Sequence, residues 1–239
     1  MGAVKRYHED TRDLWNSVLL VLPLFVLYQV GLLATGGVRN GVDLVTDTML
    51  RMSGGDVLAY VGLNLLLGGV VFGTAMALSR EGRRPFRREL YVWVVLESFV
   101  YASLLGAVIL GVMAYIPGLR PALSSTVAEA GVVTKIVLSI GAGVHEELVF
   151  RLVLFGGMAS AAAKWLKWSD MRSVLVALLI SSFLFSAIHY VGEMADPFTV
   201  FSFVYRFLAG MLFAGLYAAR SFAVAVWTHA LYDVLVLVF

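Results

Sequence analysis

Apolar stretches long enough to cross a lipid bilayer recur along almost the whole of this chain. A membrane-spanning helix needs about 20 predominantly apolar residues, because the hydrocarbon core is about 30 Å thick. Each such stretch must be helical, since lipid offers no water to satisfy an exposed backbone. The predicted spans are 13–35, 56–79, 90–116, 132–163, 173–191, 198–219 and 221–239. The sequence therefore predicts an all-α, polytopic membrane helix bundle with about seven transmembrane helices.

The composition favours a single integral membrane domain over residues 1–239. Hydrophobic residues make up 60% of the chain and charged residues only 14%, whereas soluble domains average about 25% charged residues. The formal net charge of +2 is too small to indicate a nucleic-acid partner, so the lipid bilayer is the expected environment. Cysteine is absent, which excludes disulfides and thiolate metal sites.

The basic residues of the predicted loops indicate the orientation of the bundle. Lys and Arg accumulate in cytoplasmic loops, and with the N-terminus inside, only Arg39, Arg51 and Arg120 fall on the outer side. The inner side then carries Lys5, Arg6, Arg12, Arg80, Arg83, Arg84, Arg87, Arg88, Lys164, Lys167, Arg172 and Arg220. We therefore expect a cytoplasmic N-terminus, and we expect a bacterial or archaeal cytoplasmic membrane as the location.

The predicted fourth span contains charged residues, which are costly to place within a bilayer. It carries Glu146, Glu147 and Arg151, and an ionised side chain at bilayer depth costs about 2.5–3.5 kcal/mol on insertion scales. Glu147 and Arg151 have the four-residue spacing of a helical ion pair, which allows a purely structural reading of that pair. Glu146 points about 100° away from Glu147, so its side chain could face another neighbour or a water-filled cavity. A functional site within the membrane is predicted.

Two later spans carry polar residues that share one helical face. Phe185 and His189 are four residues apart, and so are His229 and Asp233. If these groups converge with Glu146, a carboxylate beside an imidazole could take a proton from water as that water attacks a carbonyl. The second imidazole could donate to the developing oxyanion. This pattern favours hydrolysis of a peptide bond without a covalent intermediate.

The same residue types allow a metal-dependent alternative. Glu146, His189 and His229 would supply two imidazoles and a carboxylate, a common zinc set. The zinc motif HExxH is excluded, because it requires His where the chain has Val149. Both versions of the hydrolysis stay open at this point.

The polar motifs resemble those of the CAAX prenyl protease and bacteriocin-processing family (CPBP, or Abi) of intramembrane endopeptidases. The family's EExxxR motif is present as EELVFR at 146–151, FxxxH as FSAIH at 185–189, and HxxxN/D as HALYD at 229–233. The motifs occur in the family's order on separate predicted helices. The resemblance covers residues 132–239, which we expect to form the catalytic core.

The resemblance implies an endopeptidase that cleaves a membrane-associated or lipidated peptide or protein substrate. It implies that Glu146 is the general base acting on water with His189, while His229 and Asp233 orient the substrate carbonyl and stabilise its oxyanion. The third motif often ends in Asn, which donates through its amide, whereas Asp233 donates only when protonated. Asp233 could instead fix the orientation of the His229 imidazole.

The resemblance also implies that Glu147 and Arg151 are supporting residues. The family has been described both as metalloproteases and as glutamate-dependent proteases, and we favour the glutamate-dependent version, with no cofactor. Zinc bound by Glu146, His189 and His229 is the alternative.

Two non-catalytic functions are weaker hypotheses. A transporter subunit would show its charges at the interface of two symmetric halves with broken helices, and the sequence shows no such symmetry. A membrane scaffold that has lost catalysis would not need every motif position to be filled. Glu97 and Arg206 also lie within predicted spans, and a structural pair between them is preferred over a substrate contact or a cavity lining.

The predicted depths of the site residues do not all agree. At about 1.5 Å per residue, Glu146 and His189 lie about 25 and 24 Å from the predicted inner ends of their helices, whereas His229 lies about 12 Å from Arg220. Either the last helix begins later, or the turn before it enters the membrane, or the predicted boundaries are wrong.

Overall fold

The computed structural model describes residues 2–35, 49, 51–79, 84–119, 130–192 and 195–239, and these residues contain helices and no strand. This confirms the predicted all-α class. The helices named here are α1 Ala3–Arg12, α2 Leu14–Ala34, α3 Val57–Leu78, α4 Glu89–Met113, α5 Val132–Glu147, a π-helical segment Leu148–Gly156, α6 Gly157–Trp165, α7 Asp170–Ile188, α8 Val200–Ala219 and α9 Phe222–Val238.

The predicted membrane spans correspond closely to these helices. By length and composition, α2, α3, α4, α7 and α8 can each cross a membrane, and α9 is a shorter apolar helix. The predicted fourth span is one continuous helical run through α5, the π segment and α6. The chain is therefore a multi-pass membrane protein. The count of seven spans stays a prediction.

The cytoplasmic location of the N-terminus also stays a prediction. Four of the arginines counted for this orientation lie outside the described residues, namely Arg80 and Arg83 on the predicted inner side and Arg39 and Arg120 on the outer side.

The helices that carry the first and third motifs pack directly against each other. At the contact between α5 and α9, a Cβ added to Gly143 would lie 2.8 Å from both the Cβ and the backbone nitrogen of Ala230. Only glycine permits this distance between the two backbones. The close approach brings the end of α5 beside the middle of α9.

The π segment begins immediately after the two adjacent glutamates. In a π-helix the hydrogen bonds run from residue i to residue i+5, and such widened turns are frequent at functional sites. The segment ends at Gly156, where an added Cβ would lie 2.8 Å from the Tyr217 hydroxyl. The long run thus changes its helix type over Leu148–Gly156 and returns to α-helix at Gly157.

The turn between α8 and α9 lies deep beside α4. Arg220, at the end of α8, donates from Nη2 to Glu97 Oε2 over 2.7 Å, and Glu97 lies about 12 Å beyond the start of α4 at about 1.5 Å per residue. Because the turn before α9 enters the bundle, His229 lies deeper than its short distance from Arg220 along the helix suggests. The expected pair of Glu97 with Arg206 is wrong, since long-range partners are set by helix packing, which a periodic pattern does not reveal.

Candidate active site

The first and third motifs form one cluster of side chains. His229 Nδ1 lies 2.7 Å from Glu147 Oε1 and donates to it. His229 Nε2 lies 3.7 Å from Glu146 Oε2 and 3.5 Å from Asp233 Oδ2. One imidazole is therefore surrounded by three carboxylates from two helices.

The cluster is closed on one side and open on the other. The side chain of Glu147 is 0% exposed, that of His229 is 5% exposed, and that of Asp233 is 23% exposed. Access to the imidazole from outside the bundle is therefore on the side of Asp233.

Glu147 and Arg151 form the ion pair that their spacing predicts. Arg151 Nε lies 3.1 Å from Glu147 Oε2, with both side chains buried. The guanidinium carbon lies 4.3 Å from the ring centroid of Phe185 and 5.2 Å from that of Phe213. Aromatic faces attract a cation, so the buried charge of Arg151 is balanced by one carboxylate and two rings.

His189 lies at the C-terminal end of α7, next to the same aromatic ring. Its Nδ1 donates to the carbonyl oxygen of Phe185 over 2.8 Å, which leaves Nε2 as the acceptor of a neutral imidazole. The Phe185 ring lies 5.2 Å from the His189 ring and 6.0 Å from the His229 ring, between centroids. Phe185 thus contacts both imidazoles of the predicted site.

Phe213 is a site residue that the sequence analysis missed. Its ring stacks on His229 at a centroid distance of 4.4 Å and an interplanar angle of 17°. A phenylalanine within the apolar helix α8 gives no signal that separates it from its lipid-facing neighbours, so only the packing of α8 on α9 reveals it.

A second group of polar residues fixes the chain that follows His189. The backbone nitrogen of Asp196 donates to the His189 carbonyl over 3.0 Å, and the Asp196 carboxylate pairs with Arg206 at 2.5 Å. Arg206 also donates to the Tyr190 and Ser202 hydroxyls over 2.9 and 3.1 Å. Arg206 therefore joins α8 to both ends of the segment next to His189.

The zinc set considered above is not preassembled among the described residues. Within the described part of the chain, no three His, Asp or Glu side chains are placed to hold one metal ion. The Nδ1 atom of His229 is engaged by Glu147, and Nδ1 of His189 is engaged by a backbone carbonyl. Nε2 of each ring is then the atom that could bind a metal ion, so the metal-dependent version stays an alternative.

Residues 128–235 match the family model described as type II CAAX prenyl endopeptidase Rce1-like. This region contains all three motifs and therefore every predicted site residue. Comparison with characterised proteins and with solved structures gave no match. The family resemblance is confirmed for this region, and it implies an intramembrane protease in general. Over residues 128–235 the chain is therefore similar to the Rce1-like type II CAAX prenyl endopeptidases.

Proposed function

We propose that this chain is a glutamate-dependent intramembrane endopeptidase acting on a membrane-associated or lipidated peptide or protein. The observation that carries the proposal is the buried cluster of Glu146, His229 and Asp233, with His229 Nε2 within 3.7 Å of both carboxylates. Ionisable residues are rare in membrane-spanning helices, and by default they indicate a functional site.

In the proposed first step, Glu146 activates a water molecule. Its carboxylate takes one proton as the water oxygen bonds to the scissile carbonyl carbon. His189 assists by accepting from the same water at Nε2, because its Nδ1–H is already committed to the Phe185 carbonyl. The proton on Glu146 then passes to the leaving nitrogen as the C–N bond breaks, which returns Glu146 to its starting state.

His229 is the proposed donor to the oxyanion. As an imidazolium it carries an N–H on both nitrogens, and Glu147 and Asp233 provide the counter-charges. Nδ1–H is held by Glu147, while the 3.5 and 3.7 Å distances from Nε2 are longer than the ~2.7–3.2 Å of an N–H···O hydrogen bond. Nε2–H therefore keeps the capacity to bind a substrate oxygen.

Asp233 acts through His229 in this proposal. An ionised carboxylate has no hydrogen to donate, so Asp233 does not replace the amide of the family's Asn. It stabilises the imidazolium from the open side of the cluster, opposite Glu147, which is itself fixed by Arg151.

The test compares Glu146→Ala and His189→Ala with the wild type in liposomes, scoring cleavage of a library of membrane-anchored peptides with and without a strong chelator. Glu89→Ala is the matched control, because it removes an exposed glutamate at the start of α4. We expect both site variants to lose cleavage, and the control and the chelated wild type to retain it. Unchanged cleavage in both site variants would refute the catalytic assignment, and loss on chelation alone would favour zinc.

A further inference from the structure

A cavity of about 300 Å³ lies away from the proposed active site, at the end of the bundle where α2 begins. Its walls come from the junction of α1 and α2, from the turn between α8 and α9, and from the π segment. The lining residues are Arg12, Leu14, Ser17, Leu152, Tyr217, Ala218, Arg220, Ser221 and Phe222.

The polar part of this cavity carries positive charge. Two arginines line it, and no acidic residue does. Glu97 neutralises Arg220 from the far side, but no carboxylate in the described part of the chain pairs with Arg12, whose Nη2 donates to the Ala218 carbonyl over 2.8 Å. The remaining donors of Arg12 are therefore available to an anion.

The Tyr217 hydroxyl adds an uncharged donor. It lies above Gly156, and no hydrogen bond joins it to another described residue. Arg220 contributes as well, since two of the five N–H donors of a guanidinium remain after its bonds to Glu97 and His8. Several N–H and O–H groups thus border one space.

The cavity also has apolar walls, and it lies beside the start of a helix that can span a membrane. Leu14 is the first residue of the span α2, and Leu152 and Phe222 complete the apolar side. A lining that is cationic on one side and apolar on the other suits a lipid headgroup with its glycerol and acyl attachments better than a free anion. Basic pockets between spanning helices bind anionic headgroups.

We propose that this cavity binds the phosphate group of an anionic phospholipid. Arg12 provides the main charge, the Tyr217 hydroxyl a further donor, and Leu152 and Phe222 contact the glycerol region. Because Leu152 belongs to the π segment and Phe222 begins α9, the bound lipid would brace the two elements that hold Arg151 and His229.

The test titrates dioleoylphosphatidylglycerol into the full chain in a neutral detergent and follows the apparent Kd and the midpoint of thermal unfolding. Dioleoylglycerol has the same acyl chains without phosphate, and inorganic phosphate has no acyl chains. We expect only the phospholipid to raise the midpoint. Arg12→Gln should weaken its binding about fivefold, which corresponds to ~1 kcal/mol per arginine at a membrane surface.

Two further variants separate binding from folding. Tyr217→Phe removes only the hydroxyl and should also weaken binding while the unliganded midpoint stays unchanged. Arg88→Gln removes an exposed arginine next to α4, outside the cavity, and should bind as the wild type does. Equal binding by Arg12→Gln, Tyr217→Phe and Arg88→Gln would overturn the proposal, as would equal protection by dioleoylglycerol. Protection by inorganic phosphate without an effect of the phospholipid would overturn the lipid assignment and identify a soluble phosphate ligand.

Discussion

Two polar clusters of the bundle are built in opposite ways. In the first, Glu97 accepts from the Tyr7 hydroxyl over 2.5 Å, from the Tyr101 hydroxyl over 3.0 Å, and from Arg220 at both of its oxygens. Each carboxylate oxygen of Glu97 therefore accepts two hydrogen bonds. Arg220 also contacts His8, so that the cluster fastens α1 to α4 and to the turn before α9.

In the second cluster, at the proposed active site, some hydrogen-bonding groups have no partner. Within the described residues, Arg151 Nη1 and Nη2 are buried without a hydrogen-bond partner, and His229 Nε2 is 3.5 Å or more from the nearest carboxylates. Native structures satisfy nearly all buried polar groups, and each exception calls for an explanation. In our proposal, the first cluster stabilises the fold and the second keeps hydrogen-bonding capacity for a substrate.

The strongest expected effect is that of Glu146→Gln on the reaction. Removal of a general base lowers the rate by about 10²–10⁴-fold, while the amide keeps the size of the side chain, so the thermal midpoint should change little. Cleavage rate and thermal unfolding measured on one preparation give both values. A thermal midpoint that falls together with the rate would indicate that Glu146, like Glu97, stabilises the fold.

Glu97→Gln should show the reverse pattern. It leaves Arg220 buried without its counter-charge, and breaking a buried pair costs about 3–5 kcal/mol. The thermal midpoint should fall strongly, and the cleavage rate per folded molecule should remain near that of the wild type. Glu89→Gln, at an exposed position on the same helix, controls for the loss of one negative charge. A rate loss without destabilisation would contradict the comparison.

Arg206→Lys tests an intermediate case. Arg206 bonds Asp196, Tyr190 and Ser202 at once, and lysine cannot reproduce the planar fork. Each lost hydrogen bond to a charged group costs about 1.5–3 kcal/mol, and the looser segment should misplace His189. We expect a moderate drop in the midpoint and in kcat, with KM nearly unchanged. A kcat equal to that of the wild type would remove Arg206 from the positioning of His189.

Tyr7→Phe should have the smallest effect. It removes one donor from a carboxylate that keeps three others, so the expected loss of stability is about 1 kcal/mol. Cleavage should be unaffected, because the hydroxyl that Tyr7→Phe removes bonds Glu97 and no other described residue. A drop in rate would show that α1 influences the reaction.

The sequence predicts local features well and long-range partners poorly. The spans follow from runs of apolar residues, and the pair of Glu147 with Arg151 follows from the helical repeat. The partner of Glu97 lies 123 positions away in the chain, where only helix packing decides. For the same reason the stacking of Phe213 on His229 could not be predicted.

The change of helix type could not be predicted from the sequence either. The stretch 148–156 is as apolar as an ordinary α-helical span, and a widened turn leaves no distinct pattern of residue types. The π-helical segment depends on how the surrounding helices pack against it. The periodicity of a single segment carries no information about that packing.

The π segment makes the geometry around the site sensitive to chain length. Its wider turns set the angular phase between α5, which ends in the two glutamates, and α6, which continues the same run. If one residue were deleted within 148–156, α6 would rotate relative to α5 by up to about 100°, the angle per residue of an α-helix. A substitution in this stretch changes one side chain, whereas a deletion changes the direction of every side chain that follows it in the run.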